Sequence, residues 1–266
     1  MVPTQRAALP RPLAGAEACH YRDLLRAARY AVLDDAEGFG QVCFALEALG
    51  LRLAGRQADL GKYEEPVAGL AHRSALLAEL PREQPLSFRG FAVLYAIVRR
   101  ARNDAMHTGA YARHAASAAI ELCIGLEEAL MADVARTVGN RMIRSPVTVE
   151  SWQPVARARQ LLLAHSFSFV LLHHQGAWRL LSDLALARFL HCTGEPHRAR
   201  LGMPIEEAVR HQPALELVPP GRLLTADVPL DDLLGGDLAG TSTPWLVVDD
   251  RDPARLIGIL TAFDLL

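Results

Sequence analysis

The period of the hydrophobic residues changes near Gly139, and this change constrains the fold more than any other feature of the chain. Before it, apolar residues return every three or four positions. Phe88, Phe91, Tyr95 and Val98 make one such stripe, and Ala115, Ala118, Ala119, Leu122, Leu126 and Leu130 make another. Stripes of this spacing lie along one face of a helix and bury against other helices. Earlier segments, roughly 17–35, 38–58 and 66–80, have the same character, with breaks at Gly38, around Gly61 and over Pro81 to Pro85. After it comes RMIRSPVTV, rich in β-branched residues and carrying a helix-stopping proline. A chain of 266 residues has room for two domains at roughly 100 to 200 residues each. The expected fold is α+β, with a leader over 1–15, an all-α bundle over 16–138 and an α/β module over 139–266.

The second part reads as an internal repeat. Its first pass has a strand-like Val147 to Val149, a helix from Pro154 to Ala164, strands Phe167 to Leu172 and Trp178 to Leu181 around Gln175 and Gly176, and a helix from Ser182 to Leu190. Its second pass has a short helix at Asp231 to Leu234, strands Trp245 to Val248 and Leu256 to Leu260 around DDRDP, and a helix starting at Ala262. MIRSPVTV, PWLVVDD and GILTAFDLL resemble a pair of cystathionine-β-synthase (CBS) domains, a tandem module that binds adenine nucleotides between its halves. The halves are then 139–190 and 222–266, joined by a long connection, 191–221. The resemblance implies that Gly258, Thr261 and Asp264 bind nucleotide, the hydroxyl and N–H groups holding phosphate and the carboxylate holding the ribose hydroxyls. In the first half Arg179 and Ala185 replace the glycine and the carboxylate, while Ser182 keeps the hydroxyl. One intact site and one degraded site are expected.

In the bundle the most specific motif is R-N-D-A-M-H, residues 102–107. As a bare pattern it is weak, because about one Arg and His pair at this spacing arises by chance among so many arginines and 10 histidines. Set at the start of the last long helix of a bundle, it resembles the HEPN domains, whose ribonuclease members carry an arginine, four to six residues, then a histidine. That resemblance implies metal-independent RNA cleavage in a homodimer. His107 would move the proton, Arg102 would neutralise charge on the phosphate, and Asn103 would orient the histidine or hold a phosphate oxygen. Arg99, Arg100 and Arg113 would make an RNA-binding rim. About 140° separates Arg102 from His107 around an ideal helix, so the cleft needs a second copy.

Two functions follow. The first is a dimeric HEPN ribonuclease, needing no cofactor for catalysis and regulated by an adenine nucleotide (AMP, ADP, ATP or a relative). The alternative is a non-catalytic HEPN-CBS module that senses the nucleotide and binds RNA or a protein partner. A net charge of −2 excludes a globally basic nucleic-acid binder. Cys19, Cys43, Cys123 and Cys192 form no C-x-x-C pair, and His191, Cys192 and His197 lack further ligands, so no metal site is expected. No apolar run is long enough for a membrane span, and prolines interrupt the start, so a cytoplasmic protein without a membrane partner is expected.

Overall fold

The computed structural model describes residues 12–104, 110–234 and 243–266, with the side chains of 110–114 and Leu234 outside the description. It is a mixed helix and sheet structure in two compact units that divide between Ala135 and Arg136.

Among the described residues the N-terminal unit is built of helices: α1 (Gly15–Asp34), α2 (Phe39–Ala54), α3 (Leu60–Ala71), α4 (Leu80–Glu83), α5 (Phe91–Asp104) and α6 (Ala110–Met131). α6 packs on α1 and α5, and α2 on α1 and α3. The stripe residues Ala118, Ala119, Leu122 and Leu126 are fully buried against Leu25, Leu46 and Leu94. Two glycines set the approach of neighbouring elements: a Cβ on Gly50 would lie 2.4 Å from Cγ of Tyr63, and one on Gly125 would lie 2.2 Å from Cγ of Leu77. The break expected around Gly61 lies just before it, over residues 55–59, and Gly61 itself sits in the first turn of α3, where the carboxylate of Asp59 accepts from the Lys62 N–H at 3.1 Å, a strong N-terminal cap. The expected helix 66–80 instead ends at Ala71. Ser74 then caps a separate π turn, Ala75–Glu79, by accepting from the Leu77 N–H.

The C-terminal unit contains α7 (Val138–Arg141), β1 (Ile143–Arg144), α8 (Val155–His165), β2 (Phe169–His174), β3 (Ala177–Ser182), α9 (Asp183–His191), α10 (His197–Gly202), α11 (Ile205–Arg210), β4 (Leu223–Leu224), α12 (Leu230–Leu234), β5 (Trp245–Val248), β6 (Leu256–Leu260) and a 3₁₀ turn (Ala262–Leu265). β2 and β3 form a hairpin through Gln175 and Gly176, both at positive φ, as a two-residue type I′ turn requires. Ser166, at φ 53°, ends α8, and its N–H bonds Leu162 O, so β2 begins two residues later than expected.

The pairing shows how the repeat is assembled. β1 leads the first half yet pairs with β6 of the second, Ile143 opposite Ile259. Val218, at the end of the connection that leads into the second half, pairs with Leu180 of β3 in the first. Each leader then returns to its own half, Thr148 beside Leu171 and β4 beside β5, both parallel. Val147 to Val149 is therefore a single bridge rather than a strand. Leu171, Leu180 and Leu246 are buried together where the two exchanged pairings meet.

The long connection is not a loop. It holds α10 and α11, which hydrogen-bond to the first half through Val155 N–H to Met203 O and Ile205 N–H to Gln153 O. Arg200, almost fully buried, donates to Phe189 O at 2.6 Å and Thr193 O at 3.2 Å, with its guanidinium over the Phe189 ring. A cation on the last carbonyls of α9 complements the helix dipole.

Cys19, Cys43 and Cys123 are buried in the bundle, whereas Cys192 is partly exposed. Burial pushes the Cys43 thiol up to about 11 and raises Cys123 further. Because the thiolate is the reactive form, alkylation of the native chain at pH 8 should label Cys192 alone. Rapid uptake of a second label, read by mass spectrometry, would show that the bundle opens.

Candidate functional site

α5 places Arg99 and Arg102 one turn apart, and both already face carboxylates. Arg102 meets Glu47 of α2 at 2.7 Å, and Arg99 meets Glu64 of α3 at 2.5 Å. Both pairs are partly exposed, so each adds little stability, but each cancels charge that a phosphate would need. Arg100 and Asn103 are exposed. His107 lies outside the described residues, as does the side chain of Arg113 in α6. The expected basic rim is thus half neutralised where it is described. Glu47 is the sole acidic residue of α2, a signal the sequence carried without saying which helix it would face.

In the C-terminal unit Thr261, in extended conformation, follows β6 and is the N-terminal cap residue of the 3₁₀ turn. Its N–H and its hydroxyl both donate to Oδ2 of Asp264, at 2.9 and 2.8 Å, while the Asp264 N–H donates back to Thr261 O at 3.1 Å. The carboxylate half of a capping box is thus in place, with Asp264 accepting from the N–H of the cap residue. Asp264 is only 3% exposed. Thr261 and Asp264 therefore meet each other rather than lying open to solvent. Gly258 pairs with Arg144 and Val247, and a Cβ there would lie 2.4 Å from Sδ of Met142 and 3.1 Å from Ile143 O. Its lack of a side chain serves the packing of β6 on β1 and α7.

The corresponding turn of the first half has Ser182 capping α9, its hydroxyl oxygen accepting from the Ala185 N–H at 3.0 Å. Ala185 is buried and brings no carboxylate. Beside it an open cavity of about 470 Å³ runs between α9 and the 213–216 segment, lined by Arg188, His191, Cys192 and Glu216 among others. Sequence reasoning missed this groove and the Arg200 anchor because neither follows from periodicity. Among the described residues, no three His, Cys, Asp or Glu side chains are placed to hold a metal ion. None of the described helices is long and apolar enough to cross a membrane.

No family model matches the chain, and no curated protein matches it. Solved structures do, over about half of its length. CBSX2 in complex with AMP shares 20% identity at a TM-score of 0.36, covering 49% of this chain and 93% of that one. A CBS-domain containing protein from Agrobacterium tumefaciens shares 19% at 0.36, covering 50% and 93%. A hexameric CBS-CP12 protein from bloom-forming cyanobacteria shares 15% at 0.35, covering 48% and 68%. The structures this chain is similar to are thus CBS-domain proteins.

Proposed function

We propose that this chain is a non-catalytic regulatory module. A CBS-type pair, residues 139–266, senses an adenine nucleotide (AMP, ADP, ATP or a relative) through Thr261 and Asp264, with Gly258 shaping the strand that carries them. A HEPN-like bundle, residues 16–138, acts as a homodimer that binds RNA or a protein partner. The observation that carries this reading is the asymmetry of the two equivalent turns: a hydroxyl with a carboxylate after β6, and a hydroxyl with Ala185 after β3. A carboxylate can accept from both hydroxyls of a ribose, so one nucleotide per chain is expected. In the bundle, Arg99 and Arg102 are engaged by Glu64 and Glu47, which speaks against their serving a scissile phosphate.

Calorimetric titration with AMP, ADP and ATP should give saturable binding at one site per chain, and saturating ligand should raise the melting temperature by several degrees, since a ligand at 100 times its Kd stabilises by about 2.7 kcal/mol. A mixed RNA pool incubated in EDTA should survive intact with wild type and with His107→Ala alike. Cleavage by wild type that is lost in His107→Ala would instead establish the ribonuclease.

A further inference from the structure

The nucleotide site described above is closed by its own residues. A bound nucleotide would call on the two donors of Thr261 for its phosphate and on the carboxylate of Asp264 for its ribose. In the structure both donors are spent on that same carboxylate, through Thr261 N–H and Oγ1 to Asp264 Oδ2. A hydroxyl has one proton to give, so it cannot serve Asp264 and a phosphate together. The buried carboxylate offers almost no surface to a ribose. The turn that carries it is short and lightly held. It spans Ala262 to Leu265, Phe263 is 59% exposed, and Leu265 packs on the core only in part.

We infer that Thr261 and Asp264 form a latch that must open before a nucleotide is bound, so that one rearrangement creates both the phosphate donors and the ribose acceptor. This rests on the nucleotide-sensing reading. The latch makes the pair of groups cooperative: a ligand with ribose and phosphate uses everything the opening releases, whereas a ligand with only one of them uses half. It also makes the 3₁₀ turn the element that moves, since freeing the carboxylate removes the cap of Ala262–Leu265. The first half has no such latch, because at Ala185 no carboxylate is present to draw the hydroxyl of Ser182. A ligand shifts such an equilibrium only through its differential affinity for the open state.

Adenosine separates the two roles, having the ribose without the phosphate. Thr261→Val keeps the β-branched shape and removes the hydroxyl that competes for Asp264. Calorimetry should show this variant binding adenosine about tenfold more tightly than wild type does, or about 1.4 kcal/mol. Amide exchange on the wild-type chain, saturated with adenosine, should become faster at Thr261, whose N–H then loses Asp264 and gains no phosphate. Adenosine affinity that is unchanged or weaker in a folded Thr261→Val overturns the latch. Should that variant fail to fold, undiminished protection of the Thr261 amide in adenosine-bound wild type overturns it. A wild-type chain that binds AMP normally but fails either test loses only the latch, while one that binds no AMP, ADP or ATP loses the nucleotide-sensing reading and the latch with it.

Discussion

Asp264→Ala is expected to abolish the nucleotide-dependent rise in melting temperature, with affinity falling at least about 100-fold. Hydrogen bonds to a charged group contribute about 1.5–3 kcal/mol each, and the ribose diol offers two donors to this carboxylate. The same substitution removes the acceptor for Thr261 N–H and Oγ1, so the ligand-free chain should also lose about 1 kcal/mol, the usual cost of a lost cap. These two effects are separable by Asp264→Asn. An amide oxygen still accepts from Thr261 and from one ribose hydroxyl but carries no charge, so stability should recover while affinity stays well below wild type. A response to nucleotide that survives Asp264→Ala in full would place the ligand elsewhere, and the groove beside Ala185 and Arg188 would be the next place to look.

The division of the chain and its element types follow from local pattern. The short apolar-rich runs within Phe169 to His174 and Ala177 to Ser182, broken only by Gln175 and Gly176, are enough to point to a hairpin, because a two-residue turn joins antiparallel neighbours. The cap residues are local too: Ser182 lies three residues from its partner N–H and Thr261 three from Asp264. What local pattern does not carry is partner choice across the chain. Ile143 pairs with Ile259 and Leu180 with Val218, and neither registration is encoded by spacing. Helix bounds shift where a cap outweighs a glycine, as Asp59 does for Gly61. Arg102 illustrates the limit for function. Its motif was visible, but the carboxylate that meets it lies on another helix, 55 positions away in sequence, and decides whether the arginine is free for an anion.

Glu127→Ala should have the largest effect on the bundle, lowering its stability by about 3–5 kcal/mol, the cost of leaving a buried charge without its partner. Glu127 on α6 accepts from Arg29 of α1 through two bonds, at 2.9 and 3.3 Å, and from Arg26 at 3.4 Å. Arg29 and Glu127 are each only 8% exposed. Burial lowers the pKa of Arg29, but the hydrogen bond and charge of Glu127 outweigh it and raise the group above its ordinary value. A raised folded-state pKa means a contribution that is complete below the unfolded value and lost only as pH climbs past it, so the Arg29 side of the pair is not lost at ordinary alkaline pH. The loss is a large share of the roughly 5–15 kcal/mol by which a domain is stable, and it should be seen as a lower midpoint in urea for the helical signal. Replacing Arg29 and Glu127 together by leucines should recover most of it, because neither member of the buried pair is then left charged without the other. Thr261 and Asp264 lie in the other compact unit, so AMP binding measured below the new midpoint should match wild type. A parallel loss of AMP binding would show that the bundle and the nucleotide site are coupled through their folding rather than through ligand-driven change alone.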